Sequence, residues 1–262
     1  MSLNLFPDFA GEIRALSDNA VADPRTHPQL LLHRSAANGR TVEMIYAPFD
    51  HINSAARVVI AGLTPGLQQA RNALTAARAA LRNGASIDAA GAQAKIHASF
   101  SGPMRKNLVR LLDHIGIART LGIESTAELW GRRSDLVHFT SALRYPFFVD
   151  GQNWSGQPDM LRVPDMRGWL ERYTGVELGS MRQALLVPLG PKVTAAFEHL
   201  SRIGIVDSAR VLSGLPHPSG ANAERISCFL GDKPAELVSE KTNAASLHAA
   251  RSRLIQQVSA IG

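Results

Sequence analysis

The 262-residue chain has a single cysteine, Cys228. One thiol excludes an internal disulfide and any zinc or iron–sulphur cage built from several cysteines. Long hydrophobic runs are also missing. No apolar stretch approaches the roughly 18–20 residues of a membrane span, so no membrane partner is expected. The opening residues, MSLNLFPDFAGEIRAL, have no basic n-region, and a secretion signal is therefore not expected. The expected compartment is a reducing cytoplasm of bacterial type, with use at the nucleoid. No internal repeat and no low-complexity linker interrupts the chain. The expectation is one domain over residues 1–262, with 1–50 as an N-terminal extension packed on it. No large apolar stripe asks for a second copy, and a monomer is expected.

What is present is a basic, apolar-rich chain. Apolar residues make up 45 %, enough for a sizeable core. Lys and Arg number 28 against 22 Asp and Glu, a net charge of +6. That balance suits a polyanion such as nucleic acid, and it equally suits an ordinary basic protein.

Four apolar runs read as buried parallel strands: RVVIA at 57–61, LVHFTSA at 136–142, ALLVPL at 184–189 and ARVL at 209–212. None alternates cleanly, as expected where both sheet faces are covered. Helical patterns lie between them. Leu67, Ala70, Leu74, Ala77 and Leu81 share a face over 67–82. A second helix is expected over 103–115, opened by Pro103 and stopped at Gly116. Others are expected over 191–200 and 245–261, and a short one near 8–18. Thr41–Pro48 reads as an edge strand or hairpin arm. The expected fold class is α/β: a three-layer α/β/α sandwich with a central, mainly parallel four-stranded sheet.

Two turns stand out. The first strand runs into Gly62-Leu63-Thr64-Pro65-Gly66 and then a helix, the place where open α/β sheets bind ligands. The fourth run ends in SGLPHPSGAN, where Pro216 and Pro218 fix the backbone on both sides of His217. Between them lies VDGQNWSGQP at 149–158, a polar, Gly-rich loop with an exposed-looking Trp154.

GLTPG, FSG at 100–102, HFTSALRYP at 138–146, LLVPLGPKVTAAF at 185–197 and LPHPSGAN at 215–222 follow one another in this order. The series resembles the uracil-DNA glycosylase superfamily over roughly residues 57–232. The resemblance implies hydrolysis of the N-glycosidic bond of uracil, or a related deaminated base, in single- or double-stranded DNA, leaving an abasic site. It implies that Gly62, Leu63, Pro65 and Gly66 line the base pocket and that Thr64 stands where a group positions water. Phe100 corresponds to the residue that stacks on the base, Ser141 to the reader of its edge, and His217 to the donor that meets the departing carbonyl. Ser219, Gly220, Ala221 and Asn222 correspond to a loop that enters the duplex. The partner is uracil-containing DNA. The cysteines of the superfamily's iron–sulphur branch are missing, and no cofactor or metal is expected.

Two positions depart from the pattern. Thr64 replaces an acid or amide and cannot take up a proton at neutral pH, although it can orient water. Ser141 replaces an Asn and offers one rotor in place of a fixed donor–acceptor pair.

Other candidates come from the residues themselves. Asp150, close in sequence to Arg144 and Asn153, reads either as a water-orienting acid kept ionised by the arginine or as a solvated loop residue. Arg71, Arg78 and Arg82 on one helix face, with Arg105 and Lys106 on the next helix, read as phosphate contacts or as a solvated basic face. Trp154 reads as a wedge or as a buried cap, Phe100 as a stacking platform or as core, and Glu224 as a first-turn helix acid. Three functions stay open: a glycosylase, a catalytically silent DNA or damaged-base binder, and a small-molecule nucleoside hydrolase on the same scaffold.

Overall fold

The computed structural model describes residues 4–37, 39–100 and 102–260. In chain order its main elements are α1 (Phe6–Ala15), α2 (Asp18–Ala22), β1 (Leu31–Ala37), β2 (Arg40–Ile45), β3 (Val58–Gly62), α3 (Leu67–Arg82), α4 (Ile87–Ala98), α5 (Pro103–His114) and α6 (Ile117–Leu121). They continue with β4 (Val137–Ser141), β5 (Phe147–Val149), β6 (Gln152–Asn153), α7 (Pro164–Trp169), α8 (Val176–Gly179), β7 (Leu185–Pro188), α9 (Pro191–Arg202), α10 (Ala223–Leu230) and α11 (Ala244–Ser259). A π-helix, Leu170–Gly175, joins α7 to α8. The protein is mixed α/β. Among the described residues no helix is long and apolar enough to cross a membrane.

The chain divides into two compact units, each assembled from separate segments. The first comprises Met1–Ser54, Gly62–Ser99 and Phe139–Ser180. Its sheet has the order β1-β2-β5-β6 and is antiparallel throughout. Residues 31–37 and 40–45 are thus integral to this sheet, and the arm expected at 41–48 is β2, lying between β1 and β5. Helix α3 buries Ala70, Ala73, Leu74, Ala77 and Leu81, the face that its spacing predicts. Its arginines close the end of α1. Arg78 donates to the Leu16 carbonyl (2.9 Å) and Arg82 to the Arg14 carbonyl (3.0 Å). These guanidiniums satisfy carbonyls that a helix terminus leaves without intrahelical partners.

The second unit comprises Ala55–Ala61, Phe100–His138 and Met181–Gly262. Strands β3 and β4 contribute residues to both units. The second sheet has the order β4-β3-β7, and Val58–Ala61 pairs in parallel with Leu185–Pro188. The three strands are fully buried, which is why none of them alternates.

The expected four-stranded parallel sheet is corrected here. At 209–212 the chain makes a 3-10 turn, Ser208–Arg210, and then one parallel bridge, Val211 to Leu186. The cause is local. The Asp207 carboxylate accepts the Ala209 N–H (2.9 Å) and draws the chain into the turn before a strand can extend. Helix α11 covers the carbonyls left over. Gln257 donates to Ala209 and Val211 (2.8 and 3.3 Å), and Arg253 donates to Ser213 (3.0 Å).

Candidate functional site

In the first unit the Gly62–Gly66 turn is fastened at several points. The ladder leaving β3 continues past β4, with Ala142 N–H donating to Gly62 (2.9 Å) and Leu143 N–H to Leu63 (3.0 Å). The Thr64 hydroxyl donates to the Tyr145 carbonyl at 2.9 Å. Asn153 Oδ1 accepts the Leu67 N–H at 2.9 Å and caps α3, with its amide against Gly66. Gly62, Leu63, Thr64, Pro65, Gly66, Ser141 and Asn153 therefore share one neighbourhood. Because Thr64 has committed its only proton to Tyr145, its oxygen is left to accept, and it can orient a water by taking one of the water's protons.

The segment Ser141–Tyr145 is held from behind. Thr174, in the π-helix, donates its hydroxyl to the carbonyls of Ser141 and Ala142 (2.9 and 3.1 Å). Arg144 is buried, not facing the 149–158 loop. Its Nε and Nη2 meet Glu177 Oε2 at 3.0 and 2.7 Å, and Nη2 also reaches the Tyr173 carbonyl. Lys95 Nζ donates to the other oxygen of Glu177 (3.1 Å) and to the His51 carbonyl (2.7 Å). Nearby, Asp50 accepts the hydroxyls of Tyr145 (2.6 Å) and Tyr46 (2.8 Å) and the Leu5 N–H (2.7 Å). Asp50, Lys95 and Glu177 are only 2 %, 3 % and 0 % exposed, so this cluster is closed off from solvent. Burial lowers the Lys95 pKa to about 8, against the attraction of Glu177. Burial and then the charge of Asp50 raise both tyrosines well above their ordinary range.

The expected pairing of Asp150 with Arg144 is corrected by this cluster. Asp150 is exposed on the β5–β6 turn, with φ 49°, and its carboxylate binds Arg40 Nε (2.7 Å) and the Thr41 N–H (2.9 Å). The Arg40 guanidinium is what holds its carboxyl below the usual range. Trp154 is likewise no exposed wedge. It is 4 % exposed, packs edge-on against Phe147 and donates its indole N–H to the Pro158 carbonyl. Arg78 and Arg82 serve α1 as described. Arg71 keeps a buried Nε with no hydrogen-bond partner.

In the second unit the His217 turn is built from backbone. Pro216 and Pro218 are buried, and the imidazole between them is half-buried. His217 Nδ1 accepts the Ser219 N–H (3.3 Å), which leaves the ring proton on Nε2. Desolvation lowers its pKa, so the ring is neutral at pH 7 and Nε2–H is a donor without charge. The ring lies against Gly190, the N-cap of α9. A Cβ there would stand 3.7 Å from it, and φ 93° suits glycine alone. Asn107, in α5, donates to the Pro218 carbonyl (3.0 Å). The turn thus meets the start of α9, the end of a helix dipole that favours negative charge. Gly220 and Ala221 are exposed beyond it, and Asn222 donates to the Ser219 hydroxyl (3.0 Å).

Phe100 and the first turn of α5 also belong to this unit. Phe100 adopts φ 47°, a conformation that bulky residues rarely hold. Arg105 donates to its carbonyl (3.3 Å) and stacks over Trp130 at 5.2 Å, while Lys106 is exposed. Ser101 lies outside the described residues.

Several residues that hold one or the other of these turns carry no motif: Asp50, Lys95, Thr174 and Glu177 in the first unit and Asn107 in the second. Two of them left a trace. Lys95 falls one turn from Gly91 on the Ala90–Ala94–Ala98 face of α4, and Asp50 closes the apolar run that begins at Met44. A charge in either place predicts a buried partner.

The chain is 33 % identical to the uncharacterized protein YoxB of Bacillus subtilis (strain 168) over 229 residues, which cover 86 % of this chain and 88 % of that protein. No family model and no solved structure matches the chain. At that identity over nearly the full length of both proteins, the chain belongs to the same family as YoxB.

Proposed function

We propose that the protein is a DNA glycosylase, related to the uracil-DNA glycosylase superfamily, that hydrolyses the N-glycosidic bond of uracil or another deaminated base. The observation that carries this is His217: proline-pinned, neutral, and with its donor on Nε2. Breaking the bond leaves negative charge on the departing base. A neutral, preorganised N–H meets that charge as it develops and gives up little solvation beforehand. The start of α9 beside the ring adds a dipole of the right sign. Thr64 is assigned to orienting water, a task that asks only for its free acceptor. Ser141 is assigned to the edge of the base. Phe100, held at positive φ, is assigned to its face. Exposed Lys106, with Arg71, Arg105 and the Ser219–Asn222 loop, supplies phosphate contact, which makes affinity fall with salt. Thr64 stands where an acid or amide is usual and cannot take up a proton at neutral pH, so a slow enzyme is expected.

The test uses single- and double-stranded oligonucleotides with one uracil, incubated with the protein and then treated with alkali. Strand breaks at the uracil are expected, and His217→Ala should slow them by roughly 10²–10³-fold. Retention of the oligonucleotide without breaks would assign the chain to damaged-base binding instead. Hydrolysis of free nucleosides alone would assign it to small-molecule chemistry.

A further inference from the structure

The cluster behind Ser141–Tyr145 uses charge where apolar packing would serve stability as well. Replacing a buried ion pair by apolar side chains of similar volume is often neutral or stabilising. What the charges add is direction. A guanidinium fork closed on one carboxylate fixes an angle as well as a distance, which apolar contacts and a flexible ammonium do not. Here the fork is on Arg144, three residues beyond Ser141, and its anchor is Glu177 Oε2. Lys95 holds the anchor's other oxygen, so the carboxylate cannot rotate. The next residue, Tyr145, sends its hydroxyl to Asp50 and its carbonyl to Thr64. Arg144 and Lys95 balance Glu177 and Asp50, and the cluster buries no net charge.

The geometry points to Glu177 as a positioning residue: through the Arg144 fork it sets where Ser141 and, by way of the Tyr145 carbonyl, Thr64 stand, while itself touching no substrate. Its effect on catalysis rests on the base-excision reading above. Its effect on the turn does not.

Arg144→Lys keeps the charge and removes the fork. Two quantities are measured in it: amide hydrogen exchange, and kcat and KM on the uracil oligonucleotide. The amides of Ala142 and Leu143, which donate to Gly62 and Leu63, should exchange at least about tenfold faster, with β7 amides unchanged. By the same reasoning kcat should fall by about tenfold with KM within about twofold, since orientation and not binding is lost. Unchanged protection at Ala142 and Leu143, or an even loss of protection across the whole chain, overturns the inference. The second result would mark Glu177 as a stabilising residue only. Should Arg144→Lys not fold, Glu177→Gln, which keeps the acceptor's shape and discards its charge, is read by the same two measurements. A wild-type protein without excision activity would end the base-excision reading, and exchange at the two amides would still decide whether Glu177 places the turn.

Discussion

Two turns of this molecule are held still by opposite means. The Gly62–Gly66 turn is tied to a buried set of charges: Arg144, Glu177, Lys95 and Asp50 with two tyrosines. The restraint on the His217 turn comes instead from its backbone. Two prolines, the Gly190 contact and the Asn107 bond to Pro218 fix it. Charge gives a turn direction and leaves it sensitive to any missing partner. Backbone rigidity gives it a resting place, and each part of that construction counts for little alone.

The sharpest break in this contrast is Glu177→Ala, which strands Arg144 and Lys95 in the interior. It should lower stability by about 3–5 kcal/mol in urea unfolding. His217→Ala should do the reverse: lose about 3–4 kcal/mol of transition-state stabilisation in the excision assay, with stability changed by less than about 1 kcal/mol. A pH series separates the turns further. The folded pKa of Lys95, about 8, lies below its ordinary 10.5. The folded chain therefore sheds this proton first, and stability should rise between pH 8 and about 10. Above pH 10 the trend reverses, because the unfolded tyrosines ionise while buried Tyr46 and Tyr145 do not. Thermal melts of Lys95→Met should lack the rise. Asn107→Ala, which removes the α5 bond to Pro218 of the other turn, should cost only about 0.5–1.5 kcal/mol. Pro216→Ala should cost about 0.4–1 kcal/mol, through the freer unfolded chain.

The smallest effect is expected from Glu224, just past the His217 turn. Bonds from Lys233, Ser239 and Thr242 lower its pKa to about 2 from 4.5. Its contribution is present above pH 4.5 and is lost as the pH falls toward 2. Glu224→Gln should flatten acid unfolding in that window only slightly, because the group is solvated.

Much of the frame could be read directly. Helices α3, α5, α9 and α11 were legible within a few residues from apolar spacing, opening prolines and closing glycines. Strands β3, β4 and β7 were legible as continuous apolar runs. The antiparallel sheet was read only at β2, although the Asn-Gly pair at 38–39 is a strong hairpin signal. Asn38 itself lies outside the described residues. Ala209–Leu212 misled because a capping carboxylate two residues earlier outweighs a short apolar run. The position of His217 between prolines was visible at once. The network around Glu177 was not, because its members are scattered from residue 50 to residue 177 and only folding introduces them. Arg144 was singled out for the wrong neighbour: proximity along the chain suggested Asp150, and burial chose Glu177.

The last helix carries a consequence of its own. Gln257 and Arg253 occupy carbonyls beside the single bridge at Val211, on the flank where the parallel sheet stops. Without α11 those groups would offer a template for strand addition by another copy, and a chain truncated before residue 244 should aggregate rather than merely melt earlier.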